Sequence, residues 1–351
     1  MNSTFLLYGA NGYVGEVAAR MAVETGLRPV LAGRDAAKIE KLAAELGLEC
    51  RVFDLETPNK VESALKDMAL VLHCAGPYLY TSKPMVDACL QTGTHYLDIT
   101  GEIPVYEAVA RRDAEAKARG VMLLPGTGFD VVPTDCLALH LKQRLPTATH
   151  LALAFQSEGP AGLPPGTQKT AIELMNFGDR VRSAGALVAP AQAVKTRMVD
   201  FGKGPVLAAR LTWGDVFTAY HSTGIPNIED YIVMTEATRK QMALLGQLRP
   251  LLKWAPLRNL LKRGVQPGPT AEQRAQTFVH VWGEVEDQQG HKAVSRLHGP
   301  EAGVIWTVRA ALAAVRKVLS GSAPAGYQTP ATAYGADFVL QCEGVTREDV
   351  E

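Results

Sequence analysis

Residues 5–15 read FLLYGANGYVG, an apolar run followed by Gly9, Gly12 and Gly15 at intervals of three. A short apolar run with no polar alternation suits a strand covered on both faces. In that reading Gly9 ends the strand in a tight turn, Gly12 lets the backbone approach a diphosphate, and Gly15 lets the next helix pack closely on the sheet. The helix start then offers unpaired N–H groups and the positive end of its dipole to an anion. Ala10, Asn11, Tyr13 and Val14 complete this expected cofactor-binding turn. A strand-turn-helix that merely uses glycine at its bends is the rival reading, and the position of the triad between the first strand and the first helix favours the nucleotide.

Outward from this turn, as far as about residue 130, short Val/Leu/Ala-rich runs alternate with longer Ala/Lys/Glu-rich amphipathic stretches. TFLLYG precedes GEVAARMAVETG, RPVLAGR precedes DAAKIEKLAAELG, ECRVFDL precedes NKVESALKDM, and ALVLHCAG precedes SKPMVDACLQTG. Alternating strands and helices of this kind predict an α/β fold, a Rossmann doubly wound parallel sheet. Beyond about residue 147 the pattern changes to longer alternating stretches, HLALAFQ, AVKTRMVDFG, GPVLAARLTW and TFVHVWGEVEDQQGHKAVSRLHG. These suit a second α/β domain with a mixed sheet, interrupted by a helix over 167–185.

The end of the second strand discriminates between dinucleotides. An NAD site places an acidic residue about 20 positions beyond the glycines to hold the ribose 2′-hydroxyl. Here GRD, Gly33-Arg34-Asp35, stands in that place. Arg34 suits a bidentate contact with a 2′-phosphate and stacking on adenine, whereas Asp35 reads as the N-cap of the helix that follows. NADP(H) is therefore the expected cofactor. Asp54, ending the third strand, is placed for the adenine amino group. Ala75, Gly76 and Pro77, in the CAGPY that ends the fourth strand, are placed beside the nicotinamide ribose and serve equally well as ordinary turn residues.

YGANGYVG, AGR, CAGPY, YLDITGE and GTGFDVVPTD, in this order, make residues 4 to about 140 resemble the NADP-binding domain of the saccharopine dehydrogenase-like oxidoreductases. The branch that the chain is most similar to includes the trans-acting enoyl reductases. The resemblance implies a Rossmann domain over 1–146 and a substrate and interface domain over 147–327. It further implies a C-terminal helix over about 328–351 packing back on the first domain, and NADP(H) at Gly9, Gly12, Gly15, Arg34 and the Gly76-Pro77 turn. A homodimer is one reading of the interface.

The proton that accompanies a hydride needs a donor at the mouth formed by the fourth to sixth strand ends. Tyr78, Tyr80, Asp98 and Glu102 are the catalytic candidates there, with Lys83 and Asp130 beside them. Loop organisation and helix capping compete with catalysis as roles for Asp98, Glu102 and Asp130, and lining a pocket competes for the tyrosines. None of the ten tyrosines has lysine four residues later, which excludes the acid-base pair of short-chain dehydrogenases. No G-x-S-x-G elbow is present, and the eight histidines show no metal-ligand spacing, so no metal is expected.

Lysine plus arginine and aspartate plus glutamate number 36 each among 351 residues, so no overall field recruits nucleic acid. Five widely spaced cysteines without a C-x-x-C pair fit reduced thiols. Neither a leader nor an uninterrupted apolar span is apparent, and a cytoplasmic protein is expected. Residues 237–271 hold seven basic residues and no acidic one, interleaved with leucines. Weak contact with a membrane surface and packing of the leucines on the second domain are the two readings of that stretch, and Pro250 and Pro256 break it into short pieces. The expected function is hydride transfer to a C=C, C=O or C=N bond of a small hydrophobic or acyl substrate, and a lipid is among the expected partners. A non-catalytic NADP(H)-binding scaffold or redox sensor is the alternative, with amino-acid-type saccharopine dehydrogenase activity as a further one.

Overall fold

The computed structural model describes residues 4–174, 177–192, 195–236 and 254–350. The chain forms two compact units, Met1–Val132 with Val304–Ala333, and Pro133–Gly303 with Tyr334–Glu351.

The first unit runs β1 (Phe5–Tyr8), α1 (Tyr13–Glu24), β2 (Val30–Gly33), α2 (Ala36–Leu46), β3 (Cys50–Val52) and α3 (Pro58–Leu65). It continues β4 (Leu70–His73), α4 (Tyr78–Thr92), β5 (His95–Asp98), α5 (Ile103–Ala110), α6 (Asp113–Ala118) and β6 (Met122–Leu124). The short strand Gly326–Tyr327 pairs with β6, and the sheet order from that edge is Gly326–Tyr327, β6, β5, β4, β1, β2, β3. Every pairing is parallel. From β1 the chain winds outward through β2 and β3, then returns to lay β4 on the other side of β1. Ligands of such sheets bind at the carboxyl ends of the strands where the winding reverses. All residues of β1, β2 and β4 are buried, which is why these strands carry no polar alternation.

The helix Thr307–Leu319 belongs to this unit and buries Val308, Ala311, Leu312, Val315 and Val318, the stripe that a helical period places on one side. Its Arg316 donates to the Thr25 carbonyl just past α1. This helix takes the place expected of residues 328–351. That segment holds instead the helix Pro330–Tyr334, a single 3-10 turn, and the strand Thr346–Val350, which pairs antiparallel with Lys292–Pro300 in the second unit. Gly335 and Gly344, both at positive φ, break any continuous helix over this segment.

In the second unit the sheet runs Thr196–Asp200, Pro205–Leu211, Asn227–Val233, His150–Glu158, Phe278–Glu286, Lys292–Pro300, Thr346–Val350. One pair along this path, Asn227–Val233 with His150–Glu158, is parallel and the rest are antiparallel, so the sheet is mixed. Helix Val132–Arg144 packs on it at Gly283, where a Cβ would stand 2.6 Å from Leu141 Cδ1. That packing draws the unit boundary back to 132, ahead of the expected 146, and Val304–Ala333 returns to the first unit. Of the helix expected over 167–185 the described residues show Pro165–Leu174. Farther on, the helix Ala255–Arg263 keeps Pro256 in its first turn, where no N–H partner is lost, and turns Arg258 and Lys262 inward onto Glu173. The expectations for 237–253 lie outside the described residues. Among the described residues no helix is long and apolar enough to cross a membrane. Beyond it Val181–Ser183 and Ala186–Val188 form a hairpin, turning through Ala184 and Gly185, both at positive φ.

Candidate dinucleotide-binding site

The glycine turn is built by close approach of backbone to backbone. Gly9, at φ 83°, donates its N–H to the Ala32 carbonyl at 2.8 Å, and a Cβ there would stand 2.9 Å from Cys74 and Ala75. At Gly15 a Cβ would stand 2.1 Å from the Gly9 carbonyl oxygen. Gly12 is different, since a Cβ there would meet only the Gly9 oxygen, at 3.1 Å. Packing therefore requires the first and third glycines, and leaves the second to keep space open at the start of α1. Gly12 is also the N-cap of α1 and brings no side chain to cap it. A diphosphate fits such an uncapped helix start.

The neighbouring strand ends converge on this turn. Gly33, ending β2, leaves no room for a Cβ, which would lie 2.8 Å from Asn11 Oδ1. Arg34 is exposed and makes no hydrogen bond or ion pair among the described residues. Asp35 accepts from Lys38 N at 3.2 Å and pairs with the Lys38 ammonium at 3.0 Å, the expected helix cap. Asp54 stands two residues beyond the end of β3, and its Oδ1 accepts from Glu56 N at 2.9 Å, stabilising the loop. Tyr8 donates to the Phe53 carbonyl at 3.3 Å. Burial pushes its phenol up to about 12, which the charge of Arg34 opposes and that of Asp54 reinforces. Arg34 and Asp54 thus share one neighbourhood with the end of β1.

After β4, Thr81 donates to the Ala75 carbonyl at 2.7 Å and ties the Ala75-Gly76-Pro77 loop to α4. Gly76 is exposed, and a Cβ there would sit 3.2 Å from the Tyr78 ring. Thr81 was beyond the reach of sequence reasoning, because nothing local marks a threonine that folds back on the preceding loop.

The four catalytic candidates separate sharply. Tyr78 is buried, its ring edge-on to His73 at 5.3 Å and its hydroxyl donating to the His73 carbonyl at 3.3 Å. Burial, with Cys74 and the nearby carboxylates adding to it, drives its phenol well above the ordinary range. The expectation that Tyr78 faces a ligand gives way to a place in the core. Tyr80, two residues on in the first turn of α4, is 57% exposed. Asp98, fully buried at the end of β5, accepts from Tyr96 Oη at 2.6 Å, Thr100 N at 2.9 Å and Gly126 N at 2.8 Å. It joins the β5 end to the loop after β6 and does not cap α5. Glu102, also buried, accepts from Tyr78 N at 2.9 Å and Leu79 N at 2.7 Å, so it caps α4, which lies before it in sequence. Asp130 is only partly buried, and its carboxylate lies against Gly101, where a Cβ would come within 2.8 Å of Oδ2. Lys83 is exposed and pairs with Asp87 at 2.6 Å.

Burial raises the Asp98 carboxyl to about 7 against the three hydrogen bonds it accepts, with Glu102 adding to the rise. Asp130 likewise rises to about 7 through burial and the charge of Glu102. The folded protein therefore binds protons on these groups between about pH 4 and 7 that the unfolded chain does not, and their contribution to stability falls as pH rises through that window. In Asp98→Asn the penalty disappears. Measured by urea unfolding, the stability of the variant relative to the parent is expected to improve by about 2–3 kcal/mol between pH 5 and pH 8. A difference independent of pH would show that Asp98 is an ordinary acid.

Among the described residues no group of three or more His, Cys, Asp and Glu side chains is able to hold a metal ion. All five cysteines are free.

A parallel sheet whose winding reverses between β1 and β4, with a glycine turn opening there onto an uncapped helix start, defines a Rossmann dinucleotide-binding unit. Residues 5–124 match the family model of the saccharopine dehydrogenase NADP binding domain. A saccharopine dehydrogenase-like oxidoreductase of Rattus norvegicus is 33% identical over 200 residues, 50% of this chain and 46% of that protein. A trans-acting enoyl reductase of Mycobacterium leprae is 32% identical over 148 residues, 40% of this chain and 35% of that protein. The chain spans about half the length, or less, of the curated relatives it matches. In fold it is similar to the apo saccharopine dehydrogenase (L-Glu forming) of Saccharomyces cerevisiae, at a TM-score of 0.67 and 12% identity, covering 99% of this chain and 100% of that one. The homospermidine synthase of Legionella pneumophila, solved in complex with NAD, gives a TM-score of 0.65 at 10% identity, covering 100% of this chain and 92% of that one.

Proposed function

We propose that the chain is an NADP(H)-dependent oxidoreductase that exchanges a hydride with a C=C, C=O or C=N bond of a small hydrophobic or acyl substrate. The observation that carries the cofactor choice is Arg34, exposed at the end of β2 with no hydrogen bond or ion pair among the described residues, beside an aspartate already spent on capping α2. A guanidinium so placed meets a 2′-phosphate, whereas a ribose 2′-hydroxyl calls for a carboxylate, and Asp35 has given its own to Lys38. The start of α1 holds the diphosphate, Asp54 the adenine, and the 75–77 loop borders the nicotinamide ribose. When bound, the nicotinamide supplies or takes the hydride. The proton falls to the exposed Tyr80 hydroxyl or to the partly buried Asp130 carboxyl, whose value of about 7 lets it both give and take a proton near neutrality. Asp98 and Glu102 act by holding the loops in place.

Titration of the purified protein with NADPH and NADH tests the cofactor. Arg34→Ala is expected to weaken NADPH about 10- to 100-fold and leave NADH nearly unchanged. Equal affinity for the two, or no loss in the variant, would overturn the NADP assignment. Oxidation of NADPH by members of a panel of enones, ketones and imines, with Gly12→Val as the inactive control, tests the chemistry. Tight NADPH binding with no turnover across the panel would favour a non-catalytic NADP(H)-binding scaffold.

A further inference from the structure

His73, the last residue of β4, is fully buried between the ends of β1 and β5, with Tyr8 and Asp98 as its neighbours across the sheet. The rings of Tyr8, Tyr78 and Tyr96 stand round it, with centroids at 5.4, 5.3 and 6.3 Å. Its Nδ1 is buried and has no hydrogen-bond partner among the described residues, while its Nε2 stands 3.0 Å from Thr81 Oγ1. Burial drives the imidazole down to about 3, so the ring is neutral and carries a single N–H.

Counting hydrogens gives that N–H its place. The Thr81 hydroxyl has one hydrogen, and the carbonyls of Ala75 at 2.7 Å and Pro77 at 3.2 Å only accept. The hydroxyl therefore donates to a carbonyl and accepts from His73, whose hydrogen is on Nε2. A threonine in a helix ordinarily bonds the carbonyl four residues back, which here is Pro77. The shorter bond runs instead to Ala75, six residues back and outside α4. Two hydrogen bonds in series thus join the buried end of β4 to the turn that follows it. In a trans peptide the C=O and the next N–H point in opposite directions. With the Ala75 oxygen held towards Thr81, the Gly76 N–H faces the other way, on an exposed residue, and makes no hydrogen bond among the described residues.

We propose that His73 and Thr81 are positioning residues of the dinucleotide site, which hold the Ala75–Gly76 peptide with its N–H turned outward as a donor to an oxygen in the nicotinamide half of the cofactor. The role rests on the reading of the chain as a dinucleotide-binding oxidoreductase and is indifferent to which dinucleotide is bound. Packing alone does not call for the hydroxyl, since valine has nearly the shape of threonine.

Two measurements test the role. The imidazole nitrogen chemical shifts of His73, read in the protein without cofactor, are expected to show the Nε2–H tautomer. Titration at a temperature where circular dichroism shows every variant folded then gives the affinities. Thr81→Val is expected to weaken NADPH and NADH by the same factor, about 5- to 10-fold, and Thr81→Ser to stay within about twofold of the parent. An Nδ1–H tautomer in the parent would overturn the proposal. So would undiminished affinity in Thr81→Val, a Thr81→Ser as weak as Thr81→Val, or a loss confined to NADPH, which would place the effect at the 2′-phosphate. A parent that binds neither dinucleotide would overturn the reading of the site itself and the positioning role with it, an outcome distinct from a parent that binds and a Thr81→Val variant that binds equally well.

Discussion

Gly15→Ala is expected to destabilise the first unit by about 3–5 kcal/mol and to abolish measurable dinucleotide binding with it. The added Cβ would stand 2.1 Å from the Gly9 carbonyl oxygen, 2.9 Å from the Gly9 carbonyl carbon and 3.0 Å from the Ala10 Cα. All three are backbone atoms of the turn, so no side chain is available to swing away. Relief comes only if α1 lifts from the sheet, and α1 packs through small residues, Gly15, Ala18, Ala19 and Ala22, that allow a close approach and fill no gap once it is lost. Urea unfolding of the variant reads the loss directly. An unfolding midpoint equal to that of the parent would mean that α1 does not approach the turn this closely.

The second large effect is expected at Glu102. Glu102→Ala should cost about 4 kcal/mol, because it leaves a buried and a part-buried N–H group at the start of α4, those of Tyr78 and Leu79, without the carboxylate they share. The cap residue Pro77 has no side chain able to replace it. Glu102→Gln retains an acceptor for one of the two amides and is expected to recover roughly half of that loss. Removing the charge also lowers the Asp98 and Asp130 carboxyls, since Glu102 contributes to the rise of both. The pH dependence of stability should therefore shift to lower pH in Glu102→Gln. A variant as stable as the parent but devoid of turnover would instead make Glu102 a catalytic residue.

How much of this site is legible in the sequence depends on the distance between partners. Asp35 caps the helix that begins one residue later, and capping is local enough to read from residue type and position. The glycine turn is legible for the same reason, with strand, turn and helix start all within Phe5–Tyr13 and the spacing of Gly9, Gly12 and Gly15 tied to that order. Asp98 and Glu102 look like loop and cap residues from sequence, and so they are, but of other elements than the neighbouring one. Asp98 holds Gly126, 28 residues on, and Glu102 reaches back 23 and 24 residues to α4. Nothing in DITGE carries that information, because a carboxylate serves any N–H that the tertiary fold brings to it.

Tyr78 and Tyr80 show the same limit at smaller scale. Both lie in the first turn of α4, two residues apart and so on different faces, and the sequence does not say which face meets His73 of β4. Burial of neighbouring strands selects Tyr78 for the core and leaves Tyr80 at the surface. The strand Thr346–Val350 is not legible in the sequence because a short segment takes its structure from its partner. TREDV becomes a strand when Lys292–Pro300 offers it an edge.

By itself the sequence determined the parallel sheet, its glycine turn, the helix cap at Asp35 and the arginine beside it, all features whose physics lies within a few residues of backbone. Tertiary structure alone decided that Gly9 and Gly15 serve packing while Gly12 keeps space open, and that the Asp130 carboxylate lies against Gly101. It also decided that the helix after Trp254 turns Arg258 and Lys262 inward onto Glu173. Each of these depends on which distant atoms occupy the space beside a residue, and that is set only when the whole unit is packed.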